Sequence, residues 1–406
     1  MKKINVGIVG LGYRGDYNTD TVMHFDYVNI VAVCDLYEDK VDATIEKITK
    51  AGKPAPLGTC DYHDLLNNKD IDTILVFSSW ESHIQIAIEA MRAGKAVGME
   101  VGGAYDIKEC YELVDIWEET KLPFMMLENC CFGKNELLAL NLVRQGLFGD
   151  IVHCHGAYAH DLRSEVATGK ENRHYRLKNY IERNCENYPT HELGPIAKIL
   201  DINRGNRMVK LVSLASKSMG LKRYVQDRKD TIENKDLLNT EFNQADIVET
   251  LIQCENGETI SLKLDTTLPR SYSREFTVRG TKGMYDEVLN SVFLDGDTEY
   301  FETDKYAALY LNSADRHYQK YLPDGWKNIT KEQLEQGHGG MDYFSFKCFF
   351  ECLRDNKPMP IDVYDAASWM AITPLSEESL KKGCFVEIPD FTKGAWKTRE
   401  RLDIEL

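Results

Sequence analysis

The sequence predicts an α/β protein with a doubly wound parallel sheet at its N-terminus and an α+β region with an open, mainly antiparallel sheet after it. Apolar strands alternate with helical patterns up to about residue 128, which is typical of a parallel sheet. The later residues contain consecutive strands joined by short turns, which is typical of antiparallel pairing. A chain of 406 residues is also too long for one ordinary core. We therefore expect two domains, residues 1–130 and residues 131–406.

Polar residues follow the predicted strands of the first domain. These strands are expected at residues 4–9, 30–34, 71–77, 96–100 and 124–127, with helices at residues 82–93 and 106–120. Doubly wound sheets bind ligands outside the carboxyl ends of their strands. The candidate binding positions are therefore residues 10–15, Asp35, 78–83, 100–101 and 128–129.

The second domain has the pattern of an open sheet with few helices. Its strands are expected at residues 151–158, 209–218, 245–254, 259–264 and 273–280, and its helices at residues 135–145, 190–201 and 341–354. The turn at residues 255–258 indicates a hairpin. One face of such a sheet commonly contacts another subunit, so we expect a homo-oligomer, either a dimer or a tetramer.

The first strand runs directly into a Gly-x-Gly-x-x-Gly turn made by Gly10, Gly12 and Gly15. Gly10 permits a tight turn, Gly12 lets the backbone approach a pyrophosphate, and Gly15 lets the next helix pack closely on the strand. Asp35 ends the second strand about 20 residues further on and can accept hydrogen bonds from both ribose hydroxyls. Together these features predict a Rossmann domain that binds a dinucleotide. The three residues after Asp35 carry no positive charge to pair a 2′-phosphate, so NAD is favoured over NADP.

The formal charge of −16 argues against nucleic-acid partners, which need a basic patch. No apolar run approaches the roughly 18 residues that a membrane span needs. We therefore expect no nucleic acid and no membrane among the partners, but a small molecule or a glycan. The first strand begins at Ile4, which leaves no room for a leader peptide, so a cytoplasmic location is expected.

The eleven cysteines are scattered and contain no Cys-x-x-Cys spacing, which predicts reduced, mostly buried thiols. His153, His155 and His160 form a cluster with metal-like spacing. No acidic or cysteine ligand accompanies them at a suitable spacing, so we expect no metal.

The strand at residues 96–100 carries a first family resemblance. It follows a helix that ends in Ala-Gly-Lys and itself ends in Glu100, which resembles the glucose-fructose oxidoreductase and inositol dehydrogenase superfamily (Gfo/Idh/MocA). Dehydrogenases of that superfamily usually carry Glu-Lys-Pro at this strand end, where the lysine aids hydride transfer. This chain has Glu100-Val101-Gly102 instead. The missing lysine argues against ordinary dehydrogenation.

A narrower resemblance accounts for this change. The chain resembles the NAD-dependent glycosidases of glycoside hydrolase family 109, whose typical activity is α-N-acetylgalactosaminidase. The segments that carry the resemblance span nearly the whole chain, at residues 126–132, 158–163, 188–191, 201–207, 337–344, 362–365 and 388–391.

The resemblance implies two sets of site residues. In addition to the glycine turn, it places around NAD the residues Tyr13, Arg14, Asp35, Trp80, Glu81, Ser82, His83, Glu100, Val101 and Asn129. It places around the sugar the residues Tyr158, Arg176, Tyr188, Pro189, Thr190, His191 and Tyr272, and we add Glu128 at the rim. Two departures from the family pattern bear on sugar choice: Glu192 stands where a small residue is usual, and the segment from Arg163 to Arg176 is short. The secretion leader that many members carry is also not seen.

The resemblance also implies redox activation instead of the usual pair of flanking carboxylates. The sugar is oxidised at C3, the C2 proton is removed, the C1 substituent leaves by elimination, water adds, and the ketone is reduced again. A tightly bound NAD is thereby recycled. His191 is the candidate base near C3, since imidazole titrates near neutral pH. Tyr188 and Tyr158 are candidates for the C2 proton or for holding the ketone oxygen, and a base role requires a lowered pKa.

Structural roles compete with these assignments. His191 could be a helix-start histidine that bonds the backbone, and His83 could serve only the start of its own helix. Glu100 and Glu128 could each cap a helix, and Arg176 could be a solvated charge. A sugar or polyol dehydrogenase and a non-catalytic NAD sensor are the alternative functions.

Overall fold

The computed structural model describes residues 3–296 and 311–406. In these residues the strands are, in chain order, β1 (Ile4–Val9), β2 (Val28–Cys34), β3 (Leu57–Thr59), β4 (Thr73–Val76), β5 (Ala96–Met99), β6 (Phe124–Met126), β7 (Ile151–Ala159), β8 (Met208–Ala215), β9 (Ile247–Cys254), β10 (Thr259–Asp265), β11 (Thr277–Gly280), β12 (Gly283–Asp286), β13 (Ser291–Leu294) and β14 (Val386–Glu387). The α-helices are α1 (Tyr13–Met23), α2 (Glu38–Lys50), α3 (Tyr62–Asn67), α4 (His83–Arg92), α5 (Ile107–Thr120), α6 (Lys134–Arg144), α7 (Arg163–Ala167), α8 (Arg176–Glu182), α9 (Thr190–Ile199), α10 (Gly220–Asp227), α11 (Tyr318–Tyr321), α12 (Asp324–Lys327), α13 (Lys331–Leu334), α14 (Met341–Asp355), α15 (Val363–Met370) and α16 (Ile372–Lys382). Short 3-10 helices lie at Asn129–Phe132, Lys235–Asn239, Ser313–His317, His338–Gly340 and Ala395–Lys397.

The described residues form two compact units. The first unit comprises residues 3–132, 328–367 and 406, and the second comprises residues 133–296, 311–327 and 368–405. The predicted boundary at residue 130 assigned residues 328–367 to the second domain, whereas their contacts place them in the first unit. The assignment of sugar binding to the second domain stays a prediction.

The first unit is built on a six-stranded parallel sheet with the order β3-β2-β1-β4-β5-β6. Strands β4, β5 and β6 are buried along their whole length, as expected of parallel strands covered on both faces. The strand order reverses beside β1, so the carboxyl end of β1 lies at the switch point where such sheets bind ligands. The predicted doubly wound parallel sheet is confirmed.

Helix α14 explains why residues 328–367 join the first unit. Its side chains Phe346, Phe349 and Phe350 are buried, and each buried phenylalanine contributes about 2–3 kcal/mol. Phe349 packs on β5 at Gly98, where an added Cβ would lie 3.2 Å from its ring. Phe350 contacts Phe25 edge-on, with ring centroids 5.4 Å apart. The helix therefore covers one face of the parallel sheet.

The second unit contains an eight-stranded sheet with the order β13-β12-β11-β7-β10-β9-β8-β14. Every neighbouring pair in it is antiparallel except β7 and β10, which run parallel. Strand β9 alternates buried and exposed residues, which is typical of a sheet with one solvated face. The prediction of an open, mainly antiparallel sheet is confirmed. The β12–β13 hairpin was not predicted, since each of its strands has only four residues.

The structure bears on two further expectations, which concern membrane-spanning helices and the cysteines. No helix in residues 3–296 or 311–406 combines the length and the apolar character that crossing a bilayer requires. All eleven cysteines lie in these residues and are free thiols, most of them buried. The predicted reduced, mostly buried thiols are confirmed.

Candidate active site

The glycine turn of the first unit combines tight packing with one open position. Gly10 has a φ of +91°, and a Cβ there would lie 2.6 Å from the backbone of Phe77 and Ser78. A Cβ on Gly15 would overlap the carbonyl oxygen of Gly10. At Gly12, by contrast, no atom of the described residues other than those of Gly12 and its two chain neighbours lies within 4 Å of the Cβ position. Gly10 and Gly15 therefore hold the turn together, and Gly12 leaves the space that a pyrophosphate needs.

Asp35 fixes the same turn from the end of β2. Its Oδ2 accepts a hydrogen bond from the Leu11 N–H at 2.7 Å, and its Oδ1 accepts one from the Tyr37 N–H at 3.0 Å. Each carboxylate oxygen has a second lone pair that a ribose hydroxyl can use. Tyr13 and Leu36 nearby in sequence are 77% and 83% exposed. This arrangement fits NAD, with the glycine turn and the start of α1 facing its phosphates and Asp35 its ribose.

Arg14 is the centre of a polar cluster, the Arg14 cluster, that consists of Arg14, Glu100, Asn129, His338 and Asp342. The Arg14 Nε donates to Glu100 at 3.1 Å, and its Nη1 and Nη2 donate to the two oxygens of Asp342 at 3.0 and 3.3 Å. The Asn129 Nδ2 donates to Asp342 at 2.6 Å. The cluster thus joins the ends of β5 and β6 and the starts of α1 and α14. Three of the predicted cofactor residues meet there.

His338 and Asp342 of this cluster were not predicted as site residues. The Nδ1 atom of His338 lies 2.9 Å from Asp342 Oδ2, and residues 337–340 all have positive φ, from +46° to +94°. A Cβ on Gly337 would overlap the Asp342 carboxylate, so the glycines permit this close approach. Burial opposes ionisation of Asp342, but Arg14 and His338 outweigh it and hold the pKa of Asp342 well below its usual range. The Gly-His-Gly-Gly run was the sequence signal that could have identified the turn.

The remaining cofactor candidates occupy varied positions in the first unit. Trp80 and Val101 are buried, and Trp80 packs so closely on Gly102 that a Cβ there would overlap its indole ring. Glu81 accepts a hydrogen bond from the Tyr105 hydroxyl at 3.3 Å. The hydroxyl of Ser82 lies 3.2 Å from that of Ser79.

Two ionisable residues among the predicted site residues of the first unit, His83 and Glu128, are fully buried. His83 is fully buried at the start of α4, and burial lowers its pKa to about 4, so it is neutral at neutral pH. Glu128 is also fully buried, and its Oε1 accepts a hydrogen bond from the Cys130 N–H at 3.0 Å. Glu128 therefore caps the 3-10 helix at Asn129–Phe132, which was the alternative to a substrate contact.

The second unit brings five predicted sugar residues together in the Tyr–His cluster: Tyr158, Arg176, Tyr188, His191 and Tyr272. The Tyr188 hydroxyl lies 3.4 Å from His191 Nε2, and the Tyr158 and Tyr188 rings lie 4.4 Å apart. The Arg176 guanidinium lies 5.3 Å from the Tyr188 ring centroid. Tyr272 is the outermost member, 6.5 Å from Tyr158 and 47% exposed. The cluster combines an imidazole, three phenols and a cation, and all of these groups except Tyr272 are buried.

The burial of Arg176 and Tyr158 distinguishes between the alternative roles of these two residues. Arg176 is only 8% exposed, so the interpretation of Arg176 as a solvated charge is wrong. Burial raises the pKa of Tyr158 above its ordinary value, although Arg176 acts in the opposite direction. Tyr158 therefore keeps its proton at neutral pH and is suited to donate a hydrogen bond, whereas a base role required a lowered pKa.

The Tyr188–His191 segment owes its shape to the start of α9. Pro189 precedes the helix with a φ of −72°, a value that proline favours and that suits helix entry. Thr190 and Glu192 are buried on the first turn. Glu192 packs against β7 at Gly156, where an added Cβ would lie 2.7 Å from the Glu192 Cβ. The glycine in β7 therefore makes room for the Cβ at position 192 of α9, which any residue except glycine would carry.

Two known protein families match parts of this chain. The family described as glycosyl hydrolase 109, C-terminal domain, matches residues 132–398. The chain belongs to glycoside hydrolase family 109. The family described as oxidoreductase family, NAD-binding Rossmann fold, matches residues 4–127. The protein is therefore an enzyme, a glycoside hydrolase with an NAD-binding Rossmann domain.

Full-length relatives support the same family. A glycosyl hydrolase family 109 protein of Parabacteroides distasonis is 36% identical, over 98% of this chain and 89% of that protein. An α-N-acetylgalactosaminidase of Tannerella forsythia is also 36% identical, over 98% of this chain and 88% of that protein. An α-N-acetylgalactosaminidase of Shewanella oneidensis is 36% identical over 100% of this chain and 88% of that protein.

Solved structures share the fold. A levoglucosan dehydrogenase in complex with NADH and levoglucosan has a TM-score of 0.71 at 19% identity, over 95% of this chain and all of that one. An apo scyllo-inositol dehydrogenase from Lactobacillus casei has a TM-score of 0.66 at 16% identity, over 95% of this chain and 98% of that one. The fold is that of the Gfo/Idh/MocA superfamily, as the sequence predicted.

Proposed function

We propose that this glycosidase hydrolyses terminal α-N-acetylgalactosaminides, or closely related glycosides, with a tightly bound NAD that is recycled in each turnover. The match of family 109 to residues 132–398 carries the proposal, because these residues contain the whole Tyr–His cluster. The relatives from Tannerella forsythia and Shewanella oneidensis, named for this activity, support the choice of sugar. Val101, in place of the lysine usual in the superfamily's dehydrogenases, supports a reaction without net oxidation.

The first unit would hold NAD through the glycine turn, Asp35 and the polar groups at the strand ends. Bound NAD supplies reversible oxidation of the sugar at C3, which acidifies the C2 proton and permits elimination and re-addition at C1. The Gly12 position leaves open space for the phosphates, and Asp35 offers both carboxylate oxygens to a ribose. The buried Trp80 and Val101 would contribute apolar surface.

The second unit would supply the proton transfers. His191 would accept the proton of the C3 hydroxyl, since a neutral imidazole is a base near neutral pH. Tyr158, which keeps its proton, would donate a hydrogen bond to the developing ketone oxygen, and Arg176 would strengthen it. Tyr188, in contact with His191, is left as the candidate for the C2 proton. Tyr272 would line the outer part of the cluster.

The test is hydrolysis of an aryl α-N-acetylgalactosaminide by the purified protein without added cofactor, with absorbance at 340 nm recorded alongside. Release of the aryl alcohol without accumulation of NADH is the expected result. Net formation of NADH from a free sugar or polyol in a parallel assay with added NAD, without glycoside cleavage, would identify a dehydrogenase instead. Binding of NAD with neither reaction would indicate a sensor.

A further inference from the structure

The carboxylate of Glu165, which the sequence analysis did not include, contacts the arginine of the Tyr–His cluster. The Arg176 Nη1 donates to Glu165 Oε1 at 2.6 Å. Glu165 lies on α7 and Arg176 begins α8, so the pair joins two short helices. The Arg176 side chain is 10% exposed and that of Glu165 is 40% exposed. The pair therefore has its cation buried and its anion partly exposed to solvent.

His174 completes this pair. Its Nδ1 accepts the backbone N–H of Arg176 at 3.3 Å, and its Nε2 lies 3.6 Å from Glu165 Oε1. Burial and the charge of Arg176 lower the pKa of His174 to about 4, so the ring is neutral at neutral pH. A neutral imidazole that accepts at Nδ1 carries its proton on Nε2, on the side of Glu165. Glu165 thus accepts a hydrogen bond from Arg176 and lies near a second N–H donor, the Nε2 of His174.

The same guanidinium also lies close to the phenols of the cluster. The charge of Arg176 acts on Tyr158, whose pKa it lowers against the effect of burial, and the guanidinium carbon lies 5.3 Å from the Tyr188 ring centroid. A guanidinium is planar and its donors have fixed directions, so anchoring Nη1 on Glu165 sets the direction of the others. Burial opposes ionisation of Glu165, but Arg176 outweighs it and lowers the pKa of Glu165, so the pair is fully charged at neutral pH.

We propose that Glu165 is a positioning residue, whose carboxylate holds Arg176 in the orientation that serves Tyr158 and Tyr188. The role in turnover rests on the proposed function. The anchoring of Arg176 itself does not.

The test compares Glu165→Ala and Glu165→Gln with the control Glu171→Ala, an exposed glutamate of the same segment. Loss of a charged hydrogen bond should lower kcat/KM of both Glu165 variants about 10- to 100-fold. Formate should restore part of kcat in Glu165→Ala, because the vacated carboxylate position is partly exposed to solvent and would lie beside the Arg176 cation. Formate should not act on Glu165→Gln, whose amide fills that position, nor on the wild type or the control.

A readout without turnover separates this inference from the proposed function. Formate should raise the Tm of Glu165→Ala but not that of the wild type, because an anion that binds only the folded variant stabilises it. If the wild type cleaves no glycoside but this Tm response occurs, the function fails and the anchoring role stands. A kcat/KM within twofold of wild type in Glu165→Gln would overturn the proposal, and so would the absence of any formate response in a folded Glu165→Ala. If Glu165→Ala does not fold, the kcat/KM of Glu165→Gln alone decides whether the proposal stands.

Discussion

Replacement of Asp342 by asparagine tests the Arg14 cluster, which is the main polar support of the first unit's strand ends. The Asp342 side chain is 2% exposed and that of Arg14 is 27% exposed. Removing one partner of a buried ion pair costs about 3–5 kcal/mol. Because Arg14 is partly solvated and keeps Glu100, we expect Asp342→Asn to lower the free energy of unfolding by about 2 kcal/mol. This corresponds to a fall in Tm of about 4–8 °C, measured by differential scanning calorimetry.

The pH dependence of this effect has a definite sign. The pKa of Asp342 is depressed in the folded protein, so its stabilising effect is present above the unfolded value of about 3.9 and is lost as the pH falls through the lower folded value. The Tm difference between wild type and Asp342→Asn should therefore be largest at neutral pH and shrink below about pH 4. Asp355→Asn, at the exposed end of the same helix, is the control and should change Tm little. A Tm unchanged by Asp342→Asn, or a difference that grows in acid, would refute the reasoning.

Three further predictions concern the candidate site. Gly12→Ala should weaken NADH binding about tenfold in a fluorescence titration and leave Tm unchanged, whereas Gly10→Ala should lower Tm, because its new Cβ would meet backbone atoms at a positive φ. The reverse pattern would contradict the roles assigned to the two glycines. Tyr158→Phe should lower kcat about tenfold without removing any limb of the pH–rate profile, since the phenol stays protonated. Loss of a limb would instead show that Tyr158 acts as a base. His191→Ala should abolish turnover and leave NAD bound, as judged by the ratio of absorbance at 260 and 280 nm; retained turnover would remove His191 from the catalytic residues.

The parallel sheet was predictable because its signals are local. The glycine turn, Asp35 and the apolar runs each occupy a short stretch of sequence, and the switch point follows from them. The helix at residues 341–354 was also predicted, but its place in the first unit was not. A helical pattern shows that one face is apolar, and it does not show that Phe349 will pack on Gly98 of β5.

The site was predictable to the extent that its members share a motif. Tyr188 and His191 lie three residues apart, and the structure brings them into contact. Asp342 was missed because its partner Arg14 lies 328 residues away in the sequence. Glu165 was missed although it lies only 11 residues from Arg176, since an ion pair between two short helices has no periodic pattern. The raised pKa of Tyr158 depends on burial, which sequence alone does not supply.

Hydrolysis in heavy water tests the central claim most directly, because elimination and re-addition of water exchange the hydrogen at C2. The purified protein would cleave an α-N-acetylgalactosaminide in D2O without added cofactor, and the released sugar would be analysed by NMR. The account predicts one deuterium at C2 and no accumulation of NADH. Complete retention of protium at C2 in the product would contradict it.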